Sequence, residues 1–493
     1  MKGLPFDPRI PYRMAHIIRA TLLLTTLASI SRAAETIDIG TRLEWFADSF
    51  LVETFDGAEL RMHSPVPAET VLAFDKPWEG IHCGYVTVLQ DGARYRLYYR
   101  GMPAGSVDGT NDEVTCYAES ADGIHFEKPN LGLFEVNGSR ENNVILANAA
   151  PFSHNFAPFL DTRPGVAATE RFKALVGIMD SGLHAFVSAD GVRWEQVAGG
   201  PVLTKGVFDS QNVAFWSEHE QRYICYYRTW SEGGFSGIRT VSRATSTDFK
   251  TWGEDAWMTF GNTPLEHLYT NQTQPYFRAA HLYVGIAARF MPGRRIVSEA
   301  EMRAMGGEAA YSGDCSDAVL LTSRGGNAYD RTFMEGFIRP GLGLNNWTSR
   351  TNYPACGIVP TGEDEMSMYV QRNYGQKSHH LQRLTMRIDG FGSLHAGYAG
   401  GRATSRPIKF SGNILNINVS TSAAGSVRIG LLDADEKAIE GFTLEDCDEI
   451  VGDRVVRGVS WKGITDISAL KGKTVQLAFE LKDADVFSIV FHE

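Results

Sequence analysis

Arg94-Tyr95-Arg96-Leu97-Tyr98-Tyr99-Arg100, followed by Ser120-Ala121-Asp122-Gly123-Ile124-His125-Phe126, decides the fold, because both phrases return. The first recurs as Arg171-Phe172-Lys173-Ala174-Leu175-Val176 and Arg222-Tyr223-Ile224-Cys225-Tyr226-Tyr227-Arg228. Fainter copies stand at His281-Leu282-Tyr283-Val284-Gly285-Ile286 and Met366-Ser367-Met368-Tyr369-Val370. The second recurs as Ser188-Ala189-Asp190-Gly191-Val192-Arg193-Trp194 and Ser246-Thr247-Asp248-Phe249-Lys250-Thr251-Trp252, with a remnant at Ser323-Arg324-Gly325-Gly326 before Tyr329-Asp330. A strand, a polar turn and an aromatic residue, repeated every 50–85 residues or so, are the signature of propeller blades. Five units predict an all-β chain with five blades around a central axis. Asp122, Asp190 and Asp248 read as structural, since a turn Asp accepts backbone N–H bonds. The aromatics behind them, Phe126, Trp194 and Trp252, read as core.

Composition fits a large β protein. The 493 residues are 43% hydrophobic, enough for a sizeable core and two domains. Net charge is −11 without a long run of either sign, which argues against a nucleic-acid partner. That acidity suits a neutral or cationic substrate better than a polyanion. Residues 1–33 read as a signal peptide: Arg13 and Arg19 flank an apolar run over residues 22–30, too short to span a bilayer, which ends in Ser31-Arg32-Ala33. A periplasmic or secreted protein is expected, with no membrane attachment once the signal is removed. Cysteines 83, 116, 225, 315, 356 and 447 form no CxxC pair, so no zinc cluster is expected. Buried free thiols are preferred over the disulfides that export would permit.

Along the chain, residues 36–398 are assigned to the five-bladed β-propeller and residues 400–493, where apolar and polar residues alternate, to a C-terminal β-sandwich. An insertion at about residues 290–312 breaks the fourth blade. Within it Ser298 reads as the N-cap of a short helix and Gly306-Gly307 as its stop.

Chemistry is expected where the innermost strands begin, at the axis. The five openings are Trp78-Glu79-Gly80-Ile81-His82-Cys83-Gly84-Tyr85, Ser153-His154-Asn155-Phe156-Ala157-Pro158, Phe208-Asp209-Ser210-Gln211-Asn212, Glu266-His267-Leu268-Tyr269-Thr270-Asn271-Gln272 and Ser349-Arg350-Thr351-Asn352-Tyr353. Polar groups converging in a pocket must be hydrogen-bonded or used. Amides, carboxylates and aromatic faces are what a sugar needs. Trp78, His82, His154, Asn155, Gln211, Asn212, His267, Tyr269, Asn271, Arg350, Asn352 and Tyr353 are therefore the expected carbohydrate-binding set. The histidines are read as hydrogen-bonding groups rather than metal ligands, and no cofactor is expected.

Five blades, an axial pocket, Ser-x-Asp-Gly-x-x-Trp turns and a sandwich tail together resemble the five-bladed glycoside hydrolases, families 32, 43, 68 and 117. The tail is most similar to that of family 32. In family 43 an Asp opens blades one and three and a Glu opens blade four. Asp209 matches the third-blade position, which implies a transition-state stabiliser or pKa modulator. His82-Cys83-Gly84 stands at the first-blade position and Thr273-Gln274-Pro275 at the fourth. The family 32 motifs Asn-Asp-Pro-Asn-Gly and Arg-Asp-Pro are absent. Glu79 and Glu266 are the carboxylates nearest to filling these gaps, Glu266 as general acid and Glu79 as base or nucleophile, in either order. Asp48, Asp180, Asp314 and Asp317 are held in reserve. The expectation is an exported glycoside hydrolase acting on a poly- or oligosaccharide. Two rivals stand beside it: a non-catalytic carbohydrate-binding propeller, and a sialidase-like enzyme whose arginine triad would come from Arg239, Arg278 and Arg350.

Overall fold

The repeated Arg-aromatic phrase forms the second strand of a blade. In blade one Arg94–Gly101 lies antiparallel between Gly84–Asp91 and Val114–Ser120, with Val144–Leu146 on the outer edge. From Tyr95 onward every residue of Arg94–Gly101 is buried, because neighbouring blades cover both faces of the strand. Such a strand reads as a near-continuous apolar and aromatic run. The protein is described here by a computed structural model covering residues 35–103 and 108–493. The expected signal peptide over residues 1–33 lies outside the described residues.

Blades two and three repeat the pattern with Pro158–Leu160, Phe172–Val176, His184–Ser188 and Glu195–Gln196, then Val213–Ser217, Arg222–Trp230, Arg239–Ser246 and Gly253–Trp257. In blade four the inner strand is broken. Leu268–Asn271 and Gln274–Tyr276 both pair with Ala279–Met291, which pairs on its other side with Cys315–Ser323. Blade five runs Val359–Pro360, Glu365–Arg372 and His380–Arg387, and its outermost strand is Val66–Ala73, from before blade one. That exchange closes the ring. Among the described residues there are five blade sheets, not the six of a sialidase architecture.

The Ser-x-Asp turns are structural. Asp122 Oδ1 accepts from the Ile124 and His125 amides at 2.8 and 2.9 Å, and Asp190 and Asp248 do the same two and three residues on. Gly191 needs its glycine: φ is +74°, and a Cβ there would meet the Tyr98 hydroxyl of the preceding blade at 2.7 Å. In the insertion, the helix Glu299–Ala304 begins in a capping box between Ser298 and Glu301. All six cysteines are buried and free.

Strand pairing moves the expected domain boundary. Ile37–Gly40, Glu44–Trp45, Val52–Asp56 and Glu59–Met62 were assigned to the propeller, but they pair with strands from residues 392–492. The propeller therefore spans roughly Val66 to Arg387. The C-terminal region is an antiparallel sheet organised on two long strands, Ile414–Leu432 and Gln476–His492. Its core gathers Phe46, Ile429, Trp461, Phe479 and Phe491. A second cluster, with Trp45, Tyr276, Leu282 and Phe391, joins this sheet to blade four.

Candidate active site

The blade openings meet in a narrow axial pocket. Tyr85, Arg100, Asp108, Gln211, Tyr269, Gln272, Arg350, Tyr353, Gln371 and Tyr374 line it. Its floor is a chain of amides across the axis. Gln272 Nε2 donates to Gln211 Oε1 at 2.7 Å and to the Pro354 carbonyl at 3.1 Å. Gln211 Nε2 in turn donates to Thr87 Oγ1 at 2.8 Å and to the Val86 carbonyl at 3.1 Å. Blades one, three, four and five are thereby tied together under the pocket. Tyr85, Phe208, Arg350 and Asn352 have φ of +51°, +57°, +57° and +63°. Such conformations cost about 1–3 kcal/mol each and persist where the surroundings enforce them.

Two acidic clusters flank the pocket. On the blade-one side Asp108 is exposed, while behind it Glu113 and His154 are fully buried. Glu113 Oε1 lies 2.8 Å from His154 Nδ1, and Asp108 Oδ2 lies 3.9 Å from His154 Nε2. Arg100 approaches the same groups, with Nη1 3.2 Å from His154 Nδ1 and 3.6 Å from Glu113. Asp108, Glu113 and His154 bring three ligand atoms within 4.8 Å of one another. The Arg100 guanidinium already serves as the cation of that cluster, which opposes a metal ion there. On the blade-three side Arg228 Nη1 donates to Asp209 Oδ1 at 2.8 Å, and the Tyr85 hydroxyl donates to the Asp209 carbonyl at 3.1 Å. Asp209 keeps a quarter of its side chain exposed. Arg228 lies over the Tyr269 ring, 4.0 Å from its centroid, and donates to the Tyr269 carbonyl. Among the described residues that line the pocket, Asp108 is the one carboxylate.

Of the expected binding set, Gln211, Tyr269, Arg350 and Tyr353 line the pocket. His154 stands behind it. His82 is buried against the Tyr311 and Tyr374 rings with Glu308 at 3.5 Å, and burial holds its pKa down. Asn155, Asn212, Asn271 and Asn352 are buried braces. Asn155 Nδ2 donates to the carbonyls of Gly177, Phe208 and Ser210, and Asn352 Nδ2 to those of Ser316 and Asn346. Asn212 Nδ2 donates to the Phe208 carbonyl, and Asn271 accepts from Thr273. Trp78 donates to Asn143 and packs on the blade-one core, while His267 Nδ1 accepts from the Arg239 amide. None of these six lines the pocket.

Two of the three expected catalytic carboxylates are elsewhere. Glu79 is fully buried within blade one, where it accepts from Lys128, Tyr99 and the Lys76 amide. Glu266 pairs with Arg289 at 3.0 Å and with Arg331 at 2.8 Å. Both are corrections: Glu79 has no exposed surface and Glu266 is held between two arginines, whereas Asp209, although paired with Arg228, lies beside the pocket and bonds through its carbonyl to the lining Tyr85. The reserve residues Asp48 and Asp317 are likewise paired, with Arg324 and Arg289. Asp314 differs, because burial raises its pKa. Asp108, Arg100, Gln272, Gln371 and Tyr374 are pocket residues that sequence reasoning missed. A signal existed for Arg100: it and Arg228 close the same phrase in copies one and three, charged residues ending apolar strands.

No protein-family model matches the sequence, and no curated protein matches it. Several solved structures resemble it in fold. One is a glycoside hydrolase with a TM-score of 0.44 and 12% identity, covering 66% of this chain and 93% of its own. An N-acetylgalactosamine deacetylase from F. plautii, solved with blood group B trisaccharide, has a TM-score of 0.43 and 14% identity, covering 70% of this chain and 97% of its own. A β-1,2-mannobiose phosphorylase from Listeria innocua, in complex with β-1,2-mannobiose, has a TM-score of 0.43 and 12% identity, covering 66% and 97%. Glycoside hydrolases and a phosphorylase are thus among its structural neighbours, at identities that make this a divergent chain.

Proposed function

We propose that this protein is an exported glycosidase working in the axial pocket, with Asp108 and Asp209 as its two carboxylates. One observation carries the reading: Asp108 lines a pocket whose walls are tyrosines and amides, and Asp209 lies beside that lining, its carbonyl bonded by Tyr85 and its carboxylate by Arg228. Tyrosine faces suit a sugar ring, and Gln211, Gln272 and Gln371 suit its hydroxyls. Asp108, facing solvent at the mouth with the Glu113–His154 pair behind it, is placed to exchange a proton with the leaving oxygen or a water. Asp209, fixed by Arg228, is placed to face the positive charge that develops at the anomeric carbon. Export is supported by the charged and apolar pattern of residues 13–33. The C-terminal strands, wrapped on the Trp461 core, are read as a β-sandwich.

The test is a panel of plant and algal polysaccharides and their oligosaccharides, assayed for new reducing ends. Hydrolysis by the wild type, lost in D108N and D209N while binding persists, supports the reading. A second reading, a sugar-binding propeller without catalysis, is favoured by the three amides and four tyrosines that accompany a single lining carboxylate. Binding without turnover by the wild type on every panel member would establish it.

A further inference from the structure

Two arginines at and beside the pocket have no acid of their own, although Asp108 stands at its mouth. Arg100 is answered by Glu113, and Arg228 by Asp209. Arg350 lines the pocket, yet among the described residues its guanidinium has no ion pair and no hydrogen bond. It lies near the rings of Tyr311 and Tyr269, 5.4 and 5.8 Å from their centroids. Arg239, which is not itself part of the lining, likewise has no ion pair and no guanidinium hydrogen bond among the described residues. Its Nε is buried without a partner, and its guanidinium lies 4.4 Å from the Trp230 centroid, 4.7 Å from Phe290 and 5.1 Å from Tyr269. Two unanswered guanidinium groups thus share one tyrosine at the axis. Ring faces offset only part of the cost of removing such a charge from water.

The backbone is organised around this arrangement. Arg350 takes φ +57°, and Asn352 φ +63°. Gln371 Nε2 donates to the Arg350 carbonyl at 2.8 Å, and Asn352 Nδ2 donates to the Ser316 and Asn346 carbonyls, both at 2.8 Å. One side-chain bond holds the Arg350 backbone and two more fix its neighbour Asn352, so the left-handed turn that carries the guanidinium is enforced by its surroundings. Asp314 feels the fields of both arginines, but it is not within ion-pair distance of either among the described residues, and burial favours its neutral form. Glu308 is turned to His82. Arg278, the third arginine of the sialidase-like alternative, is committed to Asp389, so no triad assembles.

We propose that the sugar in the axial pocket carries an oxyanion substituent, a carboxylate or a sulfate, and that Arg350 binds it with Arg239 contributing charge beside it. This rests on the pocket being the glycan site. It reverses the expectation drawn from the net charge of −11, because the field inside a narrow pocket is set by the groups that line it. A guanidinium fork matches the two oxygens of a carboxylate or sulfate, and such charge-assisted bonds are the strong ones.

The experiment is calorimetric binding of four probes at low and high salt: an oligogalacturonate, its methyl ester, a sulfated galactan oligosaccharide and its desulfated form. The proteins are wild type, R350Q, R350K and R239Q, each checked for folding by circular dichroism. One anionic probe is expected to bind about tenfold to a hundredfold tighter than its neutral counterpart. That preference should shrink in high salt, vanish in R350Q, persist in part in R350K and weaken in R239Q. Which pair shows the preference separates carboxylate from sulfate. Equal binding of anionic and neutral probes by the wild type overturns the proposal even if R350Q fails to fold. So does an R350Q variant that keeps the preference, or inorganic phosphate or sulfate binding as tightly as the sugar anion. D108N and D209N keep the two claims apart. Anion preference without hydrolysis of any glycan would sink the glycosidase reading alone. Hydrolysis of neutral glycans with no anion preference would sink this inference alone.

Discussion

Blades one and three present aspartates in two places, and the two behave oppositely. At the outer turns Asp122, Asp190 and Asp248 occupy one repeated phrase, accept the same two local amides and have lowered pKa values. Asp108, in the loop between the second and third strands of blade one, and Asp209, at the blade-three opening, share no phrase and stand on different blades, and Asp209 is paired with Arg228. A residue that recurs with the blade serves what every blade needs, which is a closed turn. A pocket exists once, so its residues have no reason to recur. Repetition identifies the scaffold here, and departure from repetition marks the chemistry.

The largest test of that contrast is at the inner acids. D209N and D108N should each lower turnover by about 10²- to 10⁴-fold with little change in glycan binding. Single-turnover kinetics on whichever glycan the wild type cleaves would measure this. A near-normal rate in D209N would remove that residue from the mechanism.

Glu79 tests the opposite side. It sits at a blade opening yet belongs to the scaffold, so E79Q should act on stability. The change removes the buried negative charge facing Lys128, which keeps only the exposed Asp75 as a partner acid, and leaves one oxygen for the three donors that Glu79 now accepts from. Loss of about 3–5 kcal/mol is expected, seen as an earlier urea midpoint, with kcat/KM of the folded fraction intact. Gln211 lies between the classes, since it both lines the pocket and joins three blades. Q211L should cost about 1–3 kcal/mol for the polar groups it orphans at Val86, Thr87 and Gln272. It should also weaken sugar binding. Unchanged thermal stability would show that water replaces the amide chain.

How much could be read from sequence follows the same division. The blades were legible because a strand buried on both faces carries its own apolar signature, as Tyr223-Ile224-Cys225-Tyr226-Tyr227 does. The helix at 299–304 was legible because Ser298 and Glu301 form a cap within four residues of chain. The strands of residues 37–62 were recognisable as strands, but alternation says nothing about a partner more than 300 residues away. Val52–Asp56 pairs with Gly401–Ser405, and Glu59–Met62 with Gly392–Ala396. In the site, Gln211, Tyr269, Arg350 and Tyr353 were found because they open inner strands. Glu79 and Glu266 also stand at openings, but Lys128, Arg289 and Arg331 decide where they point, and those partners lie 23 to 65 residues downstream. Asp108 sits in a loop between strands, where no periodicity sets direction.

The smallest expected effect belongs to the outer turns and is a matter of pH. Asp248 is held down to a pKa of about 2, below the ordinary aspartate range, first by the Thr251 amide; burial opposes this, and the Lys250 amide adds to it. A carboxylate whose pKa is depressed on folding contributes stability that is complete above its unfolded value and disappears as pH falls through the folded one. The contribution should therefore be full at about pH 5 and above, and fade between about pH 4 and pH 2. Because the turn is solvent-exposed, its size should stay below about 1 kcal/mol. D248N keeps the shape and removes the charge. Calorimetric melting should show a small offset between wild type and D248N at neutral pH that closes as the solution is acidified toward pH 2. If the D248N offset stays constant down to pH 2, the turn is secured by the aspartate's shape rather than its charge, and the contrast between outer and inner acids loses its electrostatic half.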